Sequence, residues 1–275
     1  MDRYAVIGNP VEHSKSPIIH AAFAQATGQQ IRYERLLAPL DGFAAAVREF
    51  AATNGRGLNV TVPFKLEAFA LAREHSERAQ SALACNTLVW RGDHWFADNT
   101  DGVGLVRDLV HNLAEPIAGR DLLVLGAGGA ARGIVGALLA EGPRRLVVAN
   151  RTQSKATELA TRFMAHGSIS ASLLPALAGQ HFDIVVNATS LGLGTAVPAG
   201  LWPHDLFAAN ALAYDLVYGG RTTPFQHWAR AHGARRTADG LGMLVEQAAE
   251  SFFLWRGVRP DTAAVFPLLR APTAD

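Results

Sequence analysis

The chain has 275 residues, 49% of them hydrophobic, which exceeds one core of roughly 100 to 200 residues and is apolar enough for two. A formal net charge of +1, with no basic run or aromatic-interleaved basic stripe, excludes the usual nucleic-acid binders. One cysteine, Cys85, forbids an intramolecular disulfide and suits a reducing compartment, and the lack of a signal-peptide pattern or of an apolar stretch of about 18 residues predicts a cytoplasmic protein without a membrane segment.

Tyr4 to Ile7 reads as a strand closed by Gly8-Asn9-Pro10. A polar segment, Glu12 to Ser16, leads into a helix from Pro17 to Thr27, with Ser16 placed to cap it, Pro17 at its first position and Gly28 at its stop. Ser14, Lys15 and Ser16 also gather hydroxyls and positive charge where an anion can bind. A strand over Ile31 to Leu36 and a helix over Asp41 to Asn54, capped by Asp41 and stopped by Gly55, come next. In GLNVTVPFK, Leu58, Val60 and Val62 alternate with Asn59 and Thr61, so the polar pair shares one face of a strand. Lys65 then enters the first turn of a helix. The positive end of the helix dipole disfavours an ammonium there, a placement that suits a residue that exchanges protons.

Glu67 to Ala84 reads as two helical pieces broken near Ser76. Asn86 to Val89 and His94 to Ala97 form a hairpin around Arg91-Gly92-Asp93. Asp101, in DNTDG, either caps the helix that follows through Leu113 or projects its carboxylate toward Lys65, and spacing alone leaves both open.

Leu122 to Leu125 is an all-apolar run that stops at a glycine, as a buried parallel strand does. Gly126, Gly128 and Ala131 occupy the small positions of G-x-G-x-x-G/A, and a helix continues over Ala130 to Ala140. This is the seat of a dinucleotide pyrophosphate: a tight turn, close backbone approach and the free N–H groups of a helix N-terminus. The next strand, Arg145 to Asn150, lacks the Asp or Glu that would hold a ribose 2′-hydroxyl. Arg151, Thr152 and Lys155 stand there instead, so the residues favour NADP over NAD. Phe182 to Val186 is another buried strand, ending in Asn187-Ala188-Thr189-Ser190, and Ala211 to Val217 is a further one, closed by Tyr218-Gly219-Gly220. Helices are predicted over Pro224 to His232, from Leu241 through Phe252, and at the end through Leu269. On the second of these, Met243 and Gln247 lie off the apolar face. The histidines are scattered without metal-ligand spacing, so no metal is expected.

GNPVEHSKSP, NVTVPFK, NTL, NTDG, the glycine loop, NRT, NATSLG, YDLVYG, TPF and DGLGMLVEQAA, in this order, resemble the shikimate dehydrogenase family over nearly the whole chain. The resemblance implies two α/β domains separated by a cleft: an N-terminal substrate domain with a mostly parallel sheet, residues 1–102 completed by helices in 240–275, and a Rossmann-like NADP-binding domain, 103–239. It implies reversible NADPH-dependent reduction of 3-dehydroshikimate to shikimate, in aromatic amino acid biosynthesis, by a monomer or homodimer. Lys65 would exchange the proton, oriented by Asp101, which also binds a ring hydroxyl. Ser14, Ser16 and Tyr218 would hold the substrate carboxylate, and Asn59, Thr61, Asn86 and Gln247 the ring hydroxyls. Gly126, Ala127, Gly128, Gly129 and Ala130, with Asn150, Arg151, Thr152 and Lys155, would seat the NADP phosphates. Thr189, Leu216, Gly240 and Met243 would flank ribose and nicotinamide, and Glu77 matches an acidic position near the cofactor.

Cys85, before Asn86, replaces an aliphatic residue of the family, and Leu216 replaces a methionine often beside the nicotinamide. A quinate- or aminoshikimate-preferring paralogue shares nearly every motif. Other two-domain NADP enzymes, of the glutamyl-tRNA reductase or methylenetetrahydrofolate dehydrogenase kind, explain the glycine loop but not the first hundred residues. A non-catalytic NADP sensor is disfavoured by Lys65 and Asp101 together.

Overall fold

The structure is a computed structural model that describes residues 1–189, 198, 200–219 and 222–270. It divides into two compact units, Met1–Gly104 with Leu244–Asp275, and Leu105–Met243. The first three residues of the long C-terminal helix group with the second unit, because the Met243 N–H donates to the Tyr214 hydroxyl there.

In the first unit the chain runs β1 (Asp2–Gly8), α1 (Ser16–Thr27), β2 (Ile31–Leu37), α2 (Phe43–Ala52), β3 (Gly55–Val60), α3 (Lys65–Leu71), β4 (Glu74–His75), α4 (Glu77–Ala82), β5 (Thr87–Trp90) and β6 (Trp95–Asp98). The sheet order is β2-β1-β3-β5-β6-β4. β1 pairs in parallel with β2 and β3, β4 with β6, and β5 runs antiparallel to both β3 and β6. Ile7, Leu58, Val60, Leu88 and Ala97 from the sheet meet Phe43, Val47 and Phe64 in one apolar core. Burial of these groups supplies the main driving force for this unit.

Several local expectations are corrected. Lys15 holds the N-cap position of α1 and no side chain caps it, so Ser16 is the first helical residue rather than a cap. α2 begins after Gly42 without help from Asp41, and Asn54, at φ 67, makes the left-handed turn assigned to Gly55, which already belongs to β3. β3 ends at Val60, so Asn59 lies in the strand while Thr61 lies in the turn beyond it. Ser76 does break the helical stretch: its hydroxyl accepts the Ala79 N–H at 3.1 Å and caps α4.

α5 (Asp101–Arg107) continues into a π-helical turn, Asp108–Asn112. The second unit then alternates strand and helix: β7 (Asp121–Leu125), α6 (Gly129–Ala140), β8 (Arg145–Ala149), α7 (Gln153–Phe163), β9 (Ile169–Ser172), β10 (Phe182–Asn187), β11 (Phe207–Asp215), α8 (Pro224–Ala231) and β12 (Arg236–Ala238). All strands of this sheet are parallel, in the order β12-β11-β10-β7-β8-β9. Leu122 and Val124 enter one core and Leu123 and Leu125 the other, which is why β7 is apolar at every position after Asp121. The strand order reverses between β7 and β10, and the carboxyl ends of strands at such a reversal are where ligands bind in open α/β sheets. The chain closes with α9 (Leu241–Arg256) and α10 (Val265–Arg270), and no helix among the described residues is long and apolar enough to cross a membrane.

Candidate functional site

In the first unit, polar side chains converge beyond the carboxyl end of β3. Lys65 opens α3 and its Nζ donates to Asp101 Oδ2 at 2.5 Å. Asp101, itself buried at the start of α5, offsets the repulsion that the helix N-terminus exerts on the ammonium. The alternative left open by the sequence is thereby decided: the Asp101 carboxylate faces Lys65.

The second oxygen, Asp101 Oδ1, accepts from Asn86 Nδ2 at 2.7 Å. The Asn86 amide has one possible orientation, since its Oδ1 accepts the Thr100 backbone N–H at 2.8 Å and its Nδ2 must therefore face the carboxylate. Gln247 Oε1 lies 3.3 Å from Asn86 Nδ2, and Gln247 Nε2 donates to the Leu244 carbonyl at 2.8 Å. Asn59 is buried on β3 and enters the same network, donating from Nδ2 to Ser251 Oγ at 3.0 Å. Lys65, Asp101, Asn86, Gln247 and Asn59 are thus joined in one hydrogen-bonded group.

Ser14 and Ser16 are buried and adjacent, 3.2 Å apart between hydroxyls, and the Ser16 N–H donates to Ser14 Oγ at 3.3 Å. Arg35 fixes this loop by donating from Nε and Nη2 to the Ser14 carbonyl at 3.0 and 2.6 Å. Thr61 sits in the turn between β3 and α3, its N–H on the Ile7 carbonyl at 3.0 Å. Glu77 is exposed at the first position of α4, away from any ion pair among the described residues.

Three members of the network have no place in the sequence reading: Thr87, Thr100 and Ser251. Ser251 Oγ lies 2.8 Å from Thr87 Oγ1 and 3.2 Å from Thr100 Oγ1, and donates to the Gln247 carbonyl at 3.0 Å. One signal was available for it, because Ser251 follows Gln247 by one helical turn and so shares its face.

In the second unit the glycine loop has the shape expected of a phosphate cradle. Gly126 turns at φ +106, where a Cβ would stand 3.0 Å from the Ala188 carbonyl oxygen, so a side chain is disfavoured by both backbone strain and crowding. Ala127 is buried beneath the loop, while Gly128 and Gly129 face open space and no side chain caps α6. Among the described residues its first N–H groups, up to Ala130, have no acceptor, as an anion site at a helix N-terminus requires. At the end of β8, Asn150 donates from Nδ2 to the Thr152 carbonyl at 3.0 Å. Arg151, Thr152 and Lys155 are exposed, and Thr152 does not cap α7 through its side chain. The donors present, with no carboxylate at this strand end, fit a 2′-phosphorylated dinucleotide.

At the end of β10, Thr189 donates from Oγ1 to Asn187 Oδ1 at 2.7 Å, whereas Ser190 lies outside the described residues. Asp215, closing β11, accepts from Asn187 Nδ2 at 2.9 Å, Thr223 Oγ1 at 2.5 Å and the Val217 N–H at 3.2 Å. Burial pushes its carboxyl above the usual range, and these donors hold the turn that carries Leu216 and Tyr218. Tyr218 is half-buried on the second unit, and desolvation raises its phenol. Gly240 is packed so closely on the Leu216 carbonyl that no Cβ fits between them. Met243 is buried at the start of α9, and the Tyr214 hydroxyl that receives its N–H donates to Asp108 Oδ2 at 2.6 Å.

Residues 6–88 match the family model for the shikimate dehydrogenase substrate binding domain, 108–192 that for shikimate / quinate 5-dehydrogenase, and 240–265 that for the shikimate 5′-dehydrogenase C-terminal domain. The shikimate dehydrogenase (NADP(+)) of Aromatoleum aromaticum is 58% identical over 273 residues, which cover 98% of this chain and 97% of that protein. Among solved structures, an Ael1 enzyme from Pseudomonas putida superposes with a TM-score of 0.91 at 51% identity, covering 100% of both chains. Shikimate 5-dehydrogenase from Thermus thermophilus, in complex with NADP(H) and shikimate, gives 0.83 at 35% identity, covering 96% of this chain and 97% of that one. The chain belongs to the shikimate dehydrogenase family.

Proposed function

We propose that the protein is an NADP-dependent oxidoreductase that interconverts 3-dehydroshikimate and shikimate, serving aromatic amino acid biosynthesis in the cytoplasm as a monomer or homodimer. The observation that carries this reading is the half-buried Lys65–Asp101 pair, held by Asn86 at 2.7 Å. An ion pair kept for stability alone satisfies its remaining protons within the protein. Lys65 Nζ carries three hydrogens and spends one on Asp101, which leaves two for a ligand oxygen.

NADPH, when bound, would supply the hydride for the carbonyl carbon. Lys65 donates a proton to the oxygen as it becomes an alkoxide and takes it back in the reverse direction. Asp101 holds the ammonium in place and accepts from a ring hydroxyl. Asn59, Thr61, Asn86 and Gln247 fix the remaining hydroxyls, and Ser14, Ser16 and Tyr218 the carboxylate, so that one carbonyl is presented in one orientation. Gly126 to Ala130, Asn150, Arg151, Thr152 and Lys155 hold the phosphates. Thr189, Leu216, Gly240 and Met243 border the nicotinamide riboside, and Glu77 is the outlying member of this set. The boundaries proposed for the substrate and cofactor domains are those of the sequence reading, 1–102 with 240–275, and 103–239.

The test is the rise of nicotinamide absorbance when the chain is given oxidised NADP or NAD with shikimate or quinate. Shikimate with NADP is expected to give the highest kcat/KM. A higher value with quinate assigns the chain to the paralogue, and no turnover with any pair assigns it to a binding role. Arg151→Ala is expected to lower kcat/KM for NADP relative to NAD by about 10- to 100-fold, the loss of charge-assisted hydrogen bonds to a phosphate. An unchanged ratio removes Arg151 from the phosphate site.

A further inference from the structure

His20 on α1 has no part in the mechanism above, yet it is fully buried and ends on a residue that does. Its Nε2 lies 3.2 Å from Asn59 Oδ1, and its ring stacks on Tyr33 with centroids 4.1 Å apart and planes 9° apart. The Tyr33 hydroxyl donates to the same Asn59 oxygen at 2.7 Å. Phe23, Phe252 and Trp255 pack around the histidine, and Nδ1 has no hydrogen-bond partner among the described residues.

The orientation of the Asn59 amide follows from its other end. Ser251 gives its proton to the Gln247 carbonyl and is left to accept from Asn59 Nδ2 at 3.0 Å. The Asn86 carbonyl, which can only accept, also lies on the Nδ2 side, at 3.5 Å. Oδ1 must therefore face His20, and His20 must carry its proton on Nε2. The two Oδ1 lone pairs are filled by His20 and Tyr33, so the amide cannot turn over. On the Nδ2 side, the contacts to Thr87 at 3.4 Å and to the Asn86 carbonyl are long and can be exchanged for a ligand hydroxyl.

We infer that His20 is a positioning residue for substrate recognition: as a neutral, Nε2-protonated donor it locks the Asn59 carboxamide with its N–H groups turned toward the substrate hydroxyls. The inference rests on the proposed role of Asn59 in binding shikimate. An ordinary packing histidine would be replaceable by any flat ring of similar volume. A positioning histidine is replaceable only by a side chain that donates from the same place.

The experiment compares wild type, His20→Phe, which keeps the ring stack and loses the donor, and His20→Gln, whose amide nitrogen reaches the Nε2 position. His20→Phe is expected to raise KM and Kd for shikimate about five- to tenfold, the worth of one buried hydrogen bond, with KM for NADP unchanged. His20→Gln is expected to stay within about twofold of wild type. Equal shikimate affinity in His20→Phe and wild type, or equal loss in both variants, overturns the inference. Nitrogen-15 NMR of wild-type histidines supplies a readout that needs no variant. Burial pushes the His20 imidazole down to about 3, so one ring is expected to remain neutral with its proton on Nε2 from about pH 5 to 8, the range over which an unperturbed histidine changes charge. A His20 ring that titrates in this range, or is protonated on Nδ1, also overturns it. A wild-type chain that does not turn over shikimate fails the functional reading instead, and the tautomer still decides whether His20 locks the Asn59 amide.

Discussion

Replacing Lys65 by alanine is expected to lower kcat for shikimate oxidation by about 10²- to 10⁴-fold, the usual contribution of a positioned general acid or base, while shikimate still binds. Binding survives because Asn86, Gln247 and Asn59 are held by one another and by Thr100 and Ser251, with no bond to the lysine. The split between kcat and Kd separates proton transfer from recognition, and a small primary amine added to the Lys65→Ala protein is expected to restore part of the turnover, because the cavity left by the side chain admits it. Turnover close to wild type in Lys65→Ala would remove the residue from the chemistry.

Asp101→Asn tests the other half of the pair, and its main cost is to stability. The side chains of Lys65 and Asp101 are only 17% and 6% exposed, so removing the carboxylate leaves an ammonium buried without its counter-ion at the positive end of α3. A loss of about 3 kcal/mol in denaturant unfolding is expected, the lower end of what breaking a buried pair costs. The double variant Lys65→Met, Asp101→Asn is expected to lose clearly less than the sum of the single changes, since it buries no lone charge. Strictly additive losses would show that the two side chains are not energetically coupled. Turnover is expected to fall with Asp101→Asn as well, because the lysine loses the group that fixes its direction.

The sequence disclosed structure where the signal was local. β7, its glycine turn and α6 were legible because an unbroken apolar strand, a positive-φ turn and an uncapped helix start each leave a distinct residue pattern. β9 and β12 were missed, being edge strands of four and three residues whose conformation is imposed by parallel partners rather than by a buried alternating pattern. α2 was drawn too long for a similar reason, since Asp41 has the chemistry of a cap but not its geometry. Within the site, Lys65 and Asp101 could each be selected on residue type and position, yet they stand far apart in the chain and nothing local encodes their meeting. Ser251 was hidden in another way: it shares the face of α9 that carries Gln247, where a single hydroxyl looks incidental until the opposing β3 and β5 side chains are in place. His20 reads as one of several scattered histidines, and only the fold turns it toward Asn59.

The single cysteine is fully buried, and desolvation pushes its thiol up to about 12. Its N–H donates to the backbone carbonyl of Lys65 at 2.8 Å. A thiol reagent can therefore modify the chain only when this segment opens, and the labelling rate is a clock for local unfolding at the back of the site. Labelling is expected to be slow in the native protein and slower still with saturating shikimate, because a ligand held by Lys65 and Asn86 closes the same segment. Cys85 thus makes the breathing of this region measurable in the unmodified chain, without an engineered probe.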